Sequence, residues 1–398
     1  MKSILLTTTA IVAFAGVAAA DSNANVTFGG DATIGYNDDD GFPASYTGTD
    51  TVLGDNDGFY WEADLDVTLS QTLDNGLTAG ASFEFDIVDE SNGQDTVSDG
   101  WTLFLMSETA GLYWGDTAFA AESLWSSAGD MEADGFSEQD GENVLRGEVS
   151  IAGIDAAVSY ALSDAAGNAT DSGAFTEEVD QLSVAASGTF GMVTLGVAYQ
   201  EESIAIGGPS TYDPNGENGD FNLSEIFGIS AGVAVGGADI TVAYADNSTA
   251  DTQSTGIKVA YPFGPVTATA YYVDEQGGTN EDPNVGVNVA YSDGPIAVAL
   301  DWQDDQGVNK VGIDGSYEVG NGLTVLAGMY DQSDDAGTTD GMPNEGTDFY
   351  VAATYDLGGG ASLLVSYADA ETGGAIGDDE VGGPDYQVGT TVEVSFAF

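Results

Sequence analysis

Apolar and polar side chains alternate with a period of two along the last fourteen residues, Asp385 to Phe398. The apolar parity, broken only by Thr390, consists of Tyr386, Val388, Val392, Val394, Phe396 and Phe398. The pattern predicts a β-strand with one apolar face. A soluble protein rarely ends on such a strand because its open edge promotes aggregation, whereas a closed membrane barrel pairs it with the first strand.

The same alternation flanks a tight turn at Asp74-Asn75-Gly76, which is a strong hairpin signal. The strands on either side have about the ~9–11 residues that cross a bilayer when tilted. Their polar faces carry Glu62, Asp64, Asp66, Glu84 and Asp86. Each unpaired carboxylate would cost several kcal/mol in a protein core, so these faces must contact water and the apolar faces must contact lipid.

Further turn signals repeat this rhythm along the chain. They lie at Ala110-Gly111, Gly153, Gly188, Gly236-Gly237, Pro262-Phe263-Gly264, Asp293-Gly294, Asn321-Gly322 and Gly358-Gly359-Gly360. The resulting hairpins, with a first strand at Val26 to Tyr36 and the terminal strand, predict twenty strands, while sixteen and eighteen remain open. The predicted fold is all-β, a transmembrane antiparallel β-barrel with an even strand number, short turns on one side and long acidic connections on the other.

The composition adds a secretory signal and a strong negative charge. Residues 1–20 have a basic start at Lys2, an apolar stretch and an Ala18-Ala19-Ala20 cleavage site, which predicts export and leaves one barrel domain at 21–398. The mature chain has 67 acidic and three basic residues, a net charge of −64 that argues against nucleic acid as a partner. Because the chain lacks His and Cys, the Ser-His-Asp and thiol mechanisms are excluded, and no enzyme is predicted.

One long connection, Thr117 to Asn143, interrupts the rhythm of strands. It mixes apolar residues such as Trp125 with seven acids, namely Glu122, Asp130, Glu132, Asp134, Glu138, Asp140 and Glu142. Long connections of this kind are usually functional. A loop folded into the barrel would pack its apolar residues on the wall and turn its acids to the lumen, and the alternative is a loop on the outer surface.

Three segments resemble the bacterial general porins, in particular those of alphaproteobacteria related to purple photosynthetic bacteria. They are residues 74–83, residues 115–124 and residues 355–362. The resemblance implies a sixteen-stranded, usually trimeric barrel that passes small hydrophilic solutes by diffusion. It also implies that the loop at 117–143 folds inward and sets the pore constriction. This chain is longer than that family requires, and it lacks the basic cluster that the family places opposite the loop.

The three basic residues of the mature chain, Arg146, Lys258 and Lys310, share parity with polar positions, so we expect all of them to face the lumen. One hypothesis is that Arg146, with Lys258, opposes the loop acids and creates a transverse field. Because acids far outnumber bases in the predicted lumen, the sequence favours a cation-selective pore.

The expected partners are outer-membrane lipid and lipopolysaccharide, small cations and hydrophilic solutes, and two further copies of the chain in a homotrimer. No cofactor is expected, apart from structural Ca²⁺ at acid clusters such as Asp38-Asp39-Asp40, Asp304-Asp305, Asp334-Asp335 and Asp378-Asp379-Glu380. A secreted acidic calcium-binding adhesin or surface-layer β-protein is the alternative. A sugar-selective channel would need a lane of lumenal aromatic residues, for which the sequence offers Tyr271 and Tyr330.

Overall fold

The computed structural model describes residues 24–38, 58–89, 97–139, 143–164, 175–203, 221–278, 281–333, 346–369 and 386–398. Apart from one short helix, α1 (Ala120–Leu124), and a 3₁₀ turn at Glu132–Asp134, the regular structure in these ranges is all β. Among the described residues, no helix is long and apolar enough to cross a membrane.

The strands follow one another along the chain with few interruptions. The first group is β1 (Ala24–Gly29), β2 (Asp31–Asp38), β3 (Gly58–Thr72), β4 (Thr78–Asp89), β5 (Val97–Met106), β6 (Ala110–Gly115), β7 (Val144–Ile151), β8 (Ile154–Asp164), β9 (Phe175–Phe190) and β10 (Val193–Gln200). The second group is β11 (Ile226–Val235), β12 (Ala238–Asn247), β13 (Thr252–Phe263), β14 (Val266–Gln276), β15 (Asn284–Asp293), β16 (Ile296–Asp305), β17 (Val308–Gly320), β18 (Leu323–Gln332), β19 (Gly346–Gly358), β20 (Ala361–Asp369) and β21 (Gly389–Ala397).

These strands close into one antiparallel barrel. Each strand from β3 to β21 pairs with the next one, and β21 pairs with β2 from Asp31↔Ala397 to Asp38↔Thr390. Strands β1 and β2 pair with β3 in a single register and are two halves of one barrel strand interrupted at Gly30. The barrel therefore has twenty strands. The predicted fold and strand count are confirmed, and the sixteen strands implied by the resemblance are wrong for this chain.

The barrel is apolar outside and polar inside. Large apolar side chains on the outer face are exposed, for example Phe59 at 72% and Ile34 at 52%. The opposite parity of the same strands carries Tyr60, Glu62 and Gly35. Lipid contact on the outer face explains why apolar residues alternate with polar ones along membrane-length strands. The terminal strand follows this rule, since Phe396 and Phe398 stack on its outer face with ring centroids 6.5 Å apart.

Two details of the connections differ from the sequence prediction. Gly188 lies inside β9, and the turn occurs at Gly191-Met192, because the strand continues its alternation to Phe190. On the side expected to carry long loops, β12 and β13 are joined by residues 248–251 only, and β16 and β17 by Gln306-Gly307. Positive φ angles at Asp251 and Gln306 make these tight connections possible.

Aromatic rings on the inner wall lie flat over glycines of neighbouring strands. The directly paired partners are Gly35 and Tyr60, Gly80 and Phe104, Tyr271 and Gly286, and Gly328 and Tyr350. A Cβ atom at any of the four glycines would lie between 2.0 and 2.3 Å from a ring carbon. Each glycine therefore allows a large ring to lie against the wall instead of projecting into the lumen.

Candidate functional site

The connection between β6 and β7 lies inside the barrel. Its apolar residues Phe119, Ala121, Met131 and Phe136 are buried and form clusters with inner-face residues of the wall. Helix α1 contacts β8, β9 and β10, and the 3₁₀ turn contacts β11, β12 and β13. Because Phe119 also packs on Val144 of β7, the segment covers a continuous stretch of the inner wall from β7 to β13.

Serine hydroxyls of the wall anchor the backbone of this segment. Ser159 on β8 and Ser183 on β9 accept hydrogen bonds from the N–H groups of Ala120 and Ala121 at 2.8 and 2.9 Å. Ser254 on β13 accepts a bond from the N–H of Ala133 at 2.9 Å. The first N–H groups of a helix have no partner within the helix, so a wall hydroxyl satisfies them without adding charge.

A second anchor lies where the segment turns back toward β7. Gln181 and Gln200, both fully buried, donate to the carbonyl oxygen of Asn222 at 2.6 and 2.8 Å. The N–H of Ser137 donates to Gln200 Oε1 at 2.7 Å, and the Ser137 hydroxyl donates to Gln181 Oε1 at 2.9 Å. A buried network whose members are all hydrogen-bonded holds the segment in one position.

Glu122 has a structural contact rather than an open lumenal position. One of its carboxylate oxygens accepts hydrogen bonds from the N–H of Phe119 at 2.8 Å and from the N–H of Gln139 at 3.1 Å. Burial raises the pKa of Glu122, and the two backbone bonds oppose that rise. The carboxylate thus joins the two ends of the inward segment.

Asp130 also faces the wall. Gln303 on β16 donates to its carboxylate at 2.9 Å, and Asn284 on β15 donates to its carbonyl oxygen at 3.0 Å. Nearby on the wall, Lys310 Nζ lies 3.2 Å from the carboxylate of Asp305. Burial raises the pKa of Asp130, as does the charge of Asp305, whereas Lys310 and Gln303 lower it. The segment therefore extends its contact with the wall to β16.

Asp134 is held by an aromatic residue of its own segment. Trp125 Nε1 donates to its carboxylate at 2.9 Å. Burial of the carboxyl raises the pKa of Asp134 to about 7, the Trp125 bond opposes this rise, and the charges of Asp130 and Glu275 add to it. Because the pKa in the folded protein exceeds that of the unfolded chain, the cost of ionising Asp134 is fully present above about pH 7. This cost decreases as the pH falls from about 7 to the ordinary carboxyl pKa of about 4.

The substitution D134N tests this assignment. Because Asn is uncharged and keeps an acceptor for Trp125, D134N is expected to be more stable than the wild type at pH 8, and this gain is expected to be much smaller at pH 4. The measurement is the urea midpoint of unfolding at both pH values. The control E138Q removes the same charge from an exposed position of the segment. An equal gain from both variants at pH 8 would contradict burial as the cause.

The remaining predicted residues occupy different surroundings. Glu132 and Glu138 are exposed, and Asp140 and Glu142 lie outside the described residues. Arg146 on β7 lies 3.7 Å from Glu148 and stacks on Tyr113 at 4.9 Å from the ring centre. Lys258 is half-buried on the inner face of β13, and Lys310 is buried on β17. Glu122 and Asp134 thus accept hydrogen bonds within their own segment, and Asp130 accepts one from the wall, so these three half-buried carboxylates are not simply open to the lumen. Their role in the constriction stays a prediction.

The wall serines and glutamines that hold the segment were missed by the sequence analysis. In the sequence they differ from other inner-face positions only in being small or amide side chains where other strands carry carboxylates. This difference can be recognised only once the fold is known. Of the aromatic candidates, Tyr271 packs beside Gly129 of the inward segment, and Tyr330 donates to Gln332 at 2.5 Å. Neither forms an open lane along the lumen within the described residues.

The acid clusters proposed for Ca²⁺ are only partly described. Asp304-Asp305 lies at the end of β16, and Asp38 ends β2, while the other members fall outside the described ranges. Within those ranges, no three carboxylates are grouped as ligands for a metal ion. Calcium binding therefore stays a prediction.

The chain is similar to known porins. A family model described as Gram-negative porin matches residues 7–375. A porin from Rhodobacter capsulatus is 28% identical over 329 residues, which cover 79% of this chain and 89% of that protein. Two solved structures of mutant porin from Rhodopseudomonas blastica have TM-scores of 0.46, identities of 16% and 17%, and cover 77% of this chain and 100% of their own.

Proposed function

Because the chain belongs to the Gram-negative porin family, we propose that its barrel conducts small cations in preference to anions. The protein is an outer-membrane porin channel. Small hydrophilic solutes are its proposed cargo. They would cross by diffusion through the polar interior of the barrel.

The charge of the inner wall supports this proposal. Its described carboxylates include Asp31, Glu62, Asp64, Asp66, Glu84, Asp86, Glu148, Asp155, Asp301, Asp314, Asp348 and Glu393. The opposing bases are Arg146, Lys258 and Lys310, and two of these already pair with carboxylates. A low-dielectric wall with this excess of acids concentrates cations and repels anions.

Reversal potential in a planar bilayer with a KCl gradient tests the selectivity. The expected sign is that of K⁺ flowing from the concentrated to the dilute side. The preference is expected to weaken as salt rises from 0.1 M to 1 M, because the Debye length falls from about 10 Å to about 3 Å. A Cl⁻ preference at low salt would contradict the proposal.

The inward segment at 117–143 is the proposed constriction, and its exposed acids Glu132 and Glu138 are the members placed to meet solutes. Arg146 and Lys258 would add local positive charge. Lys310 forms an ion pair with Asp305, so its charge is largely compensated.

Other parts of the proposal concern biogenesis and assembly. Residues 1–20 would be removed after export, and the mature chain would assemble as a homotrimer in contact with lipid and lipopolysaccharide. Divalent cations would bridge its acidic loops to lipopolysaccharide phosphates. A secreted adhesin is not favoured, since it would not need a closed barrel with apolar residues on its outer face.

A further inference from the structure

The described segments inside the barrel leave its inner wall unevenly covered. The inward segment lies against β8 to β16 through hydrogen bonds to Ser159, Ser183, Gln200, Ser254 and Gln303. Wall acids beneath it are no longer available to the lumen. Glu275 on β14 is 4% exposed and accepts a bond from the N–H of Glu132 at 3.1 Å.

A second group covers the wall at β19 and β20. Tyr386, in the chain that leads into β21, packs on Tyr350 with ring centroids 4.9 Å apart. The two rings are 8% and 3% exposed and cluster with Ala352 and Ala368. Asp348, next to them on β19, is 2% exposed. This part of the wall offers solutes a packed apolar surface.

The stretch from β3 to β6 is different. Within the described ranges, neither helix α1 nor the 3₁₀ turn contacts these strands, and their acids Glu62, Asp66 and Glu84 are exposed. Asp66 is the direct cross-strand partner of Glu84, and Asp64 is the partner of Asp86. Like charges placed directly opposite each other destabilise a sheet. The stability of the barrel therefore does not explain why acids occupy these paired positions.

We propose that the ion path is off-centre, along the inner face of β3 to β6, and that Asp66 and Glu84 there, rather than the acids of the inward segment, set the cation preference. This inference rests on the proposed cation selectivity. The two acids lie within one cross-strand pair, where their fields add, and water reaches both of them. On the segment, Asp130 and Asp134 are half-buried and their carboxylates accept hydrogen bonds from Gln303 and Trp125.

Reversal potentials of matched double variants test the location of the path. D66N/E84Q removes two exposed charges from the wall, E132Q/E138Q removes two from the inward segment, and D293N/E318Q removes two from exposed ends of β15 and β17. In 0.1 M salt, D66N/E84Q is expected to lower the K⁺ to Cl⁻ permeability ratio at least about threefold, and each of the other pairs less than half as much. An equal or larger effect of E132Q/E138Q would overturn the proposal.

A second measurement separates the path from the selectivity. The chain has no Cys, so single substitutions Asp66→Cys and Glu132→Cys can each be modified by a bulky methanethiosulfonate reagent while the current is recorded. Modification at Asp66→Cys is expected to reduce the current more than modification at Glu132→Cys. If the wild type lacked cation preference but this order held, the proposed selectivity would fail and the path would stand. The reverse order would overturn the path. Heat-shifted gel mobility of every variant confirms that the barrel has formed.

Discussion

Replacing residues 117–142 by an Asn-Gly turn is expected to raise single-channel conductance at least about twofold. The replacement removes a segment that fills part of the lumen, and a barrel of this size is wide enough for water to take its place. The shortened chain can close because Gly115 pairs directly with Val144, so the strands on both sides already have a hairpin register. Asn-Gly suits the two-residue turn that such a register requires. Conductance in symmetric KCl is the measurement.

The matched control keeps the length of the segment but removes two of its anchors. In S159A/S183A, the N–H groups of Ala120 and Ala121 lose their wall acceptors, so we expect larger current fluctuations with a mean conductance near that of the wild type. Gel mobility before and after heating shows whether both barrels form. An unchanged conductance in a folded, shortened barrel would show that the segment does not restrict the ion path.

The barrel was predictable from sequence because its rules are local. Alternation around Asp74-Asn75-Gly76 and along the terminal strand required only neighbouring residues and the two solvents on either side of the wall. The strand count followed from the turns, although the turn assigned to Gly188 lies at Gly191-Met192. Such a shift does not change the predicted number of strands, because a displaced turn still separates two strands.

The arrangement inside the lumen was not predictable in the same way. The bond from Ala133 to Ser254 spans 121 positions, and the bond from Gln303 to Asp130 spans 173. A single sequence contains no signal that relates residues so far apart. The acids of the inward segment were therefore all expected to face water, whereas the fold gives Glu122 backbone N–H groups and Asp134 an indole N–H. Local polarity indicates that an acid needs a partner, but it does not indicate which one.

The substitution G30A is expected to destabilise the barrel by at least about 2–3 kcal/mol, because two costs coincide at this position. Gly30 has a φ of 145°, in the region that favours glycine, and it interrupts the barrel strand formed by β1 and β2. A Cβ atom there would lie 2.2 Å from the backbone oxygen of Asp64 on β3. Backbone atoms of a paired strand cannot move aside as a flexible side chain can. Urea unfolding in lipid vesicles measures the loss.

Substitutions at two other glycines distinguish the cost of a positive φ from the cost of a steric clash. Gly76 has a φ of 83° with no atom within 4 Å of a Cβ, so G76A should lose only the conformational term of about 1–2 kcal/mol. At Gly147 on β7, the nearest atom to a Cβ is a side-chain carbon of Val158 at 3.9 Å, so G147A should change little. The carbonyl of Gly30 accepts a bond from the N–H of Phe398 at 2.8 Å, so a shift here also disturbs the contact between the first and last strands. A loss in G30A no larger than in G76A would show that β1 and β3 can separate at this point without cost to closure.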